Sequence, residues 1–294
     1  MIQKPISELL ARARRPLLSY EFFPPKDEAG METLEQAARD LLPTRPDFVT
    51  VTYGAGGSTR ARTLQVCERL HALGLDPVMH HLTCVGSSRA ELADILKSLH
   101  EKGIRNIMAL RGDPPQGESR FRRHPDGFAY AVDLVRFIKK QYPDMCCGVA
   151  GYPEVHQEAL SIESDLLYLK DKVEAGGGFI TTQLFYDNAL YFEFVERCRA
   201  WGIRAPILPG LLPPLSLKQL RRMAAMCKAS IPAALAKAME EAGDDAAALE
   251  AIGIEWTVKQ IKELLAHDVP GVHLYILNRS KVALAPALKA CFAH

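Results

Sequence analysis

The stretch LLSYEFFPPK, residues 17–26, combines a buried strand with a carboxylate at its end. Its leucine and aromatic residues predict a β-strand, which Pro24 and Pro25 end. Glu21 lies just before that end. A charge there is costly unless it is paired, faces a cavity at a strand end, or is needed for chemistry.

Seven more segments of this kind follow, and helical patterns with apolar residues at three- and four-residue spacing lie between them. Several of these helices are predicted to end at a glycine, namely Gly74, Gly103 and Gly202. Strict alternation of strands and helices predicts a parallel sheet, and eight units in 294 residues predict an eight-stranded β/α (TIM) barrel. The predicted strands are LLSYEFF from 17, DFVTVTYG from 47, PVMHHLTC from 77, NIMALRG from 106, CCGVAGYP from 146, FITTQLFY from 179, APILPGLL from 205 and GVHLYILN from 271.

An open doubly wound sheet is the competing architecture. When it binds a dinucleotide, it normally carries Gly-x-Gly-x-x-Gly after its first strand, where this sequence has FFPP. The later GAGGST, residues 54–59, lacks both that spacing and a P-loop lysine, and is only a weak signal for phosphate binding. The barrel is therefore favoured, with extra helices in IPAALAKAMEEAGDD and IEWTVKQIKELLAHD before the last strand. No linker divides the chain, so residues 1–294 are expected to form one catalytic domain.

Composition excludes several classes of protein. A formal net charge of +1 gives no electrostatic reason to expect a nucleic acid or a membrane as partner. No signal peptide is visible, and no apolar run approaches the ~20 residues that cross a bilayer. The seven cysteines are scattered, without a Cys-x-x-Cys pair, which favours a reduced, cytoplasmic protein.

The predicted strand ends carry most of the polar chemistry. A closed parallel barrel has its active site at the carboxyl ends of its strands, so these side chains should meet at one rim. The seventh strand brings only prolines and a glycine to this rim. The other seven bring Glu21, Thr52 with Tyr53, His81 with Thr83, Arg111 with Asp113, Tyr152 with Glu154, Gln183 with Asp187, and Asn278 with Arg279.

The motif ALRGDPP, residues 109–115, is the most specific of these ends. Arg111 and Asp113 could form an ordinary surface ion pair in a turn. Alternatively, Arg111 binds an anion, Asp113 places a charge, and Gly112 lets the backbone approach a ligand. The position at the rim favours the second alternative.

For one other motif a catalytic role is undecided, and for another a metal site is not expected. In GYPEVHQEA, residues 151–159, Glu154 could simply lie at a helix N-terminus, and His156 alone would be structural. His80 and His81 should point to opposite sides of their strand, so a metal site is not expected. Since neither a nucleophile motif nor a Schiff-base lysine stands out, a bound cofactor is expected to supply the difficult chemistry.

Taken together, eight motifs resemble the methylenetetrahydrofolate reductases of bacteria. They are SYEFFPPK, VTYGAGGSTR, HHLTCVG, ALRGDPP, AGYPEVHQEA, FITTQLFYD, ILPGLLP and LYILNR, in the family's order from about residue 17 to 280. The resemblance implies an FAD-containing β/α barrel that reduces 5,10-methylenetetrahydrofolate to 5-methyltetrahydrofolate with NADH or NADPH, in a ping-pong scheme that supplies methyl groups for methionine synthesis. It further implies a homodimer or homotetramer, without the regulatory domain of the animal enzymes.

The resemblance also implies roles for single residues. Glu21 matches the general acid, and Asp113 matches an aspartate beside the flavin that also holds the pterin. Gln183 and Arg279 match residues that contact the folate. The implied FAD site comprises Thr52, Tyr53, His81, Arg111, Gly112, Asp113, Tyr130, Ala150, Tyr152, His156, Asp165 and Lys172, in which Arg111 and Lys172 have the charge to meet the diphosphate.

Two segments depart from the family pattern, and two other functions stay open. Leu217 stands where some relatives have an aromatic residue, and the segment 118–127, ESRFRRHPDG, is longer than in compact relatives. A flavin-free methyltransferase that binds pterin would also use a barrel. A silent relative retained as a binding subunit is the third alternative, which the presence of Glu21, Asp113 and Gln183 disfavours.

Overall fold

The computed structural model describes residues 2–53, 60–113 and 121–292 and contains a ring of parallel strands surrounded by helices. The strands of this part of the chain are β1 (Leu17–Phe22), β2 (Phe48–Val51), β3 (Val78–Thr83), β4 (Asn106–Leu110), β5 (Cys146–Gly151), β6 (Gly177–Thr182), β7 (Ile207–Leu208), β8 (Gly210–Leu211) and β9 (Gly271–Tyr275). The helices are α1 (Ile6–Arg12), α2 (Glu28–Leu41), α3 (Arg60–Ala72), α4 (Arg89–Glu101), α5 (Ala131–Gln141), α6 (Ile162–Glu174), α7 (Asn188–Ala200), α8 (Leu217–Cys227), α9 (Ala233–Glu241), α10 (Ala246–Ala266) and α11 (Pro286–Ala290).

The strand order confirms the predicted barrel. Neighbouring strands pair in parallel in the order β7-β6-β5-β4-β3-β2-β1-β9-β8. The predicted seventh strand is in fact two short strands, because Pro209 between them has no N–H to donate to a ladder. β7 pairs with β6 and β8 pairs with β9, so β7 and β8 form the two edges of the sheet. Because they are neighbours in sequence, this stretch nearly closes the ring.

Helix α1, which was not among the predicted helices, covers the amino-terminal end of the barrel. Its buried Ile6 and Leu10 join an apolar cluster inside the ring. The Ile6 backbone N–H also donates to Asn106 Oδ1 at 2.8 Å, which fixes α1 to the start of β4. The strand residues of this cluster are Leu17, Phe48, Met79, Met108, Cys146, Phe179 and Leu208.

The outer helices begin and end largely where the sequence predicts. Gly74, Gly103 and Gly202 follow α3, α4 and α7 with φ of +90°, +82° and +80°, the left-handed conformation that glycine adopts readily. One predicted boundary is wrong: α10 begins at Ala246 rather than near residue 254, because Asp245 caps it by accepting from two backbone N–H groups. Among the described residues, no helix has both the length and the apolar character needed to cross a membrane.

Candidate functional site

A cavity of about 490 Å³ opens where the strands end, at the rim that the sequence predicts. Strand ends from around the barrel contribute to its wall. The predicted site residues that line it are Glu21, Thr52, Tyr53, His81, Arg111, Gly112, Asp113, Ala150, Tyr152, His156 and Gln183. Thr83, which was also predicted at the rim, lines it too, and its other lining residues are Phe23, Val85, Met108, Leu110, Thr181, Thr182, Met226, His273 and Tyr275.

Glu21 faces this cavity from the end of β1. Its Oε2 atom lies 3.6 Å from His81 Nε2 and 3.7 Å from His273 Nε2, and its side chain is 16% exposed. Tyr20 and Phe22 belong to the outer core, because alternate residues of a strand point to opposite sides. Glu21 is therefore enclosed by histidines rather than by the aromatic residues beside it in sequence, of which only Phe23 lines the cavity.

The two histidines of β3 are neutral at physiological pH. Burial lowers the pKa of His81 to about 4, although the nearby Glu21 carboxylate acts in the opposite direction. Burial also lowers the pKa of His80 to about 3. His81 lines the cavity, whereas the His80 ring lies 5.9 Å from the ring of Tyr53. Within the described ranges, no group of three or more His, Cys, Asp or Glu side chains could hold a metal ion.

His273 and Tyr275 are site residues that were not predicted. His273 Nδ1 lies 2.8 Å from Ser19 Oγ, and the Tyr275 hydroxyl donates to the Thr182 carbonyl at 2.6 Å. Burial, assisted by the nearby Glu21, raises the pKa of Tyr275 well above its ordinary value. Strand alternation in GVHLYILN places both side chains inside the barrel. The residues predicted from this strand, Asn278 and Arg279, lie at its end instead.

Arg111 is held by a partner from another loop. Its guanidinium donates to both carboxylate oxygens of Glu158, at 2.7 and 2.6 Å, and lies 4.9 Å from the centre of the Phe121 ring. This pairing raises the pKa of Arg111 and lowers that of Glu158. Arg111 of the ALRGDPP motif thus forms its ion pair with Glu158 rather than with Asp113, which is exposed at the rim. The charge of Arg111 is therefore paired with that of Glu158.

Asp165 and Lys172 lie behind the wall rather than in it. Lys172 Nζ donates to the Ala150 carbonyl at 2.6 Å, and Asp165 Oδ2 accepts from the His156 backbone N–H at 3.0 Å. Burial lowers the pKa of Lys172 to about 8, against the opposing effect of Asp165. These contacts hold the end of β5 and the loop after it, where Tyr152 and His156 pack edge to face with ring centres 4.7 Å apart.

Other predicted residues lie away from the cavity wall. Tyr130 is 57% exposed, and its ring stacks on Tyr168 with centres 6.4 Å apart. Arg279 is exposed and lines a small cleft that shares Tyr275 with the main cavity. Leu217 packs against an apolar cluster beneath α8. The glycine-rich GAGGST and the first part of the 118–127 segment lie outside the described residues.

The cavity wall offers unused hydrogen-bonding groups to a ligand. In the described part of the chain, three buried wall atoms lack a hydrogen-bond partner: Thr52 Oγ1, Thr83 Oγ1 and His81 Nε2. Leaving such atoms unpaired is costly, so they indicate a ligand with polar groups at its edges. The cavity volume falls within the range of cofactor and small-molecule sites. A flavin ring system, which is flat and carries polar atoms at its edge, fits this donor and acceptor set.

Residues 6–288 match the family model described as methylenetetrahydrofolate reductase. The chain is 42% identical to methylenetetrahydrofolate reductase (NADH) 1 of Arabidopsis thaliana over 276 residues. The alignment covers 90% of this chain and 47% of the plant protein. It is 38% identical to 5,10-methylenetetrahydrofolate reductase of Escherichia coli K12 over 269 residues. That alignment covers 91% of this chain and 88% of the bacterial protein. The chain thus spans about half the length of the plant relative and most of the bacterial one.

Solved structures share the fold. A Clostridium thermocellum protein, titled as binding two copies of 5-methyl-5,6,7,8-tetrahydrofolic acid, superposes with a TM-score of 0.65 at 16% identity and covers 96% of this chain and 98% of its own. Oxaloacetate acetylhydrolase superposes with a TM-score of 0.52 at 12% identity, covering 97% and 82%. At these identities the likeness supports the barrel architecture alone.

Proposed function

The chain belongs to the methylenetetrahydrofolate reductase family, and we propose that it reduces 5,10-methylenetetrahydrofolate to 5-methyltetrahydrofolate with electrons from a reduced nicotinamide. NADH is the proposed donor, because the plant relatives carry it in their names. The observation that carries the proposal is Glu21, which faces the rim cavity between two buried histidines. The product would supply methyl groups for methionine synthesis.

We assign FAD to the rim cavity. Thr52, Thr83 and His81 would offer their unpaired polar atoms to the flavin, while Tyr152 and Gly112 would shape the wall. The chemistry that bound FAD supplies is hydride transfer, from nicotinamide to flavin and then from flavin to folate, in a ping-pong order. Lys172 and the Arg111–Glu158 pair would stabilise the loops around it. Gln183 and Asp113, which share the cavity, are the proposed pterin contacts.

Glu21 is the proposed general acid. The substrate is a cyclic aminal, which must open to an iminium before it can accept a hydride, and protonation of the departing nitrogen makes that opening feasible. Because His81 is neutral at pH 7, its contact with Glu21 is not an ion pair. Ser19 Oγ, 2.8 Å from His273 Nδ1, fixes the His273 ring, and the two histidines enclose the Glu21 carboxyl group.

Absorbance spectroscopy tests this proposal. The purified protein should be yellow or become so with added FAD, and NADH should bleach the flavin band without oxygen, after which methylenetetrahydrofolate should restore it. Titration with NADPH in parallel decides between the two nicotinamides. A colourless protein that binds folate but no FAD would instead support the methyltransferase, and folate binding without turnover would support the silent relative.

We also propose a homo-oligomeric, cytoplasmic protein. Each of the seven cysteines is a free thiol, five of them buried, which supports a reducing compartment. Light scattering at several protein concentrations measures the oligomeric state, and a monomer at every concentration would contradict that part of the proposal.

A further inference from the structure

The strand that carries Glu21 is held beyond the point where its ladder with β9 ends. β1 and β9 pair in parallel as far as Glu21 and Tyr275. Beyond Tyr275 the chain turns, and Leu277 and Asn278 adopt positive φ of +49° and +58°. The Asn278 side chain then takes the place of a β9 peptide group: its Oδ1 accepts from the Phe23 N–H at 2.8 Å, and its Nδ2 donates to the Phe23 carbonyl at 2.7 Å.

These two hydrogen bonds hold the backbone of Phe23, the residue that follows β1. Pro24 and Pro25 have no N–H, so the Phe23 N–H is the last donor of the strand. On the other side of β1, the Thr52 N–H donates to the Phe22 carbonyl at 3.0 Å. The end of β1 is therefore held from both sides, by β2 and by the Asn278 amide. The side chains of Glu21 and Phe23, which flank this point, both line the cavity.

Asparagine is suited to this position for two separate reasons. It tolerates the left-handed conformation better than other residues with a side chain. Its amide also presents one acceptor and one donor in the geometry of a peptide group. Glycine would satisfy only the first requirement, and aspartate would keep the acceptor but lose the donor.

We propose that Asn278 is a positioning residue, which acts through the backbone of Phe23 to aim Glu21 into the cavity. This inference rests on the proposed function, in which Glu21 protonates the folate. Asn278 itself does not line the cavity. Its contribution should therefore appear in the half-reaction that needs Glu21 and be absent from the reduction of FAD by NADH.

Three variants separate positioning from general stability. Asn278→Gly removes the amide while keeping the backbone conformation accessible, and Asn278→Asp keeps an acceptor oxygen but replaces the donor by a second oxygen and adds a negative charge. Ser280→Ala is the matched control: it deletes one side-chain hydrogen bond from the same turn, which Ser280 Oγ donates to Asp40 Oδ2 at 3.0 Å. In Asn278→Gly, folate reduction should slow about 10- to 100-fold, as for a misplaced catalytic group. The rate of FAD reduction by NADH, the folate Kd and the Tm should stay close to those of Ser280→Ala.

A double-mutant cycle shows whether Asn278 acts through Glu21. In a Glu21→Gln background, Asn278→Gly should have little further effect on folate reduction, because the aimed proton is already absent. Equal slowing in both backgrounds would overturn the proposal, as would equal slowing of the two half-reactions. Hydrogen–deuterium exchange of the peptide containing Phe23 adds a readout without turnover, since loss of Asn278 should speed exchange of that amide. A wild-type protein that cannot reduce methylenetetrahydrofolate would contradict the proposed function instead, whatever the exchange shows.

Discussion

The two ends of one barrel interior differ in chemistry although the same strands build both. At the amino-terminal end, α1 covers a layer of inward-facing apolar side chains such as Leu17, Met79 and Phe179. Two positions further along β1 and β3, the inward residues are Ser19 and His81. After four positions on β1 the inward residue is Glu21, at the cavity.

This difference separates stability from chemistry along each strand. Apolar layers closed by α1 bury surface and hold the ring together, which contributes stability. The rim layers keep unpaired polar atoms and a carboxyl group, which cost stability and become useful only with a ligand. Substitutions at the amino-terminal end, called the base below, should therefore change the free energy of unfolding. Substitutions at the rim should change ligand binding or reaction rate.

The largest effect is expected from Glu21→Gln at the rim. The variant keeps the size of the side chain but loses its acidic proton, so reduction of methylenetetrahydrofolate should fall by about 10²–10⁴-fold, as for a lost general acid. Reduction of FAD by NADH should survive, because that step needs no proton from Glu21. Stopped-flow measurement of each half-reaction checks this, with thermal unfolding as a control for folding. Equal loss in both half-reactions, or in neither, would remove Glu21 from the role of acid.

Phe179→Ala at the base should have an effect of comparable free energy, but on stability rather than on rate. Phe179 is fully buried and packs edge to face on Phe48, with ring centres 6.3 Å apart. Its truncation leaves a cavity and should lower the free energy of unfolding by about 3–5 kcal/mol. Urea unfolding measures this, and Leu160→Ala, at a side chain 97% exposed, is the control. Rate constants of the folded variant should stay near wild type; a strong kinetic defect would mean that the two ends are coupled.

Much of this division could be predicted from sequence, because strand alternation and the strand-end rule are local. They predicted the ring, the rim and the placement of Glu21 and Gln183 at one cavity. They did not predict the division of the seventh strand, since closure of the ring there depends on β6 and β9, which are distant in sequence. Nor could they find the Glu158 partner of Arg111, a contact between separate loops. The roles implied for the site residues all stay predictions, and four of these residues, Tyr130, Asp165, Lys172 and Arg279, do not line the cavity.

A smaller effect per residue, again on stability, is expected from the buried histidines of β3. Folding lowers the pKa of His80 to about 3 and of His81 to about 4, from an ordinary value of 6.5. Between pH ~4 and ~6.5 the unfolded chain therefore binds more protons than the folded one, so stability is lost as pH falls through this range. Each histidine should account for a loss on the order of 3 kcal/mol over this range, since each pKa unit corresponds to about 1.4 kcal/mol.

Urea unfolding at a series of pH values measures this dependence. His81→Gln should reduce the slope, because glutamine cannot be protonated in this range, whereas Phe179→Ala should lower the whole curve and keep its slope. Glu21 and His273 face His81, so Glu21→Gln in the same series shows how much of the slope the carboxylate contributes. A flat profile between pH 4 and 6.5 would contradict neutral burial of the two histidines.

The smallest effect tests where the base ends and the rim begins, using two threonines of one chain segment. Thr50 and Thr52 both carry a hydroxyl without a hydrogen-bond partner among the described residues, but only Thr52 lines the cavity. Replacing an unpaired buried hydroxyl by a methyl group is neutral or stabilising, so Thr50→Val and Thr52→Val should each change stability by no more than about 1 kcal/mol. Fluorescence titration with FAD should then separate them. Thr52→Val should weaken binding by about 1 kcal/mol, or roughly fivefold, through one lost hydrogen bond, while Thr50→Val should bind like wild type. Equal weakening in both would place the boundary between base and rim one layer deeper in the barrel.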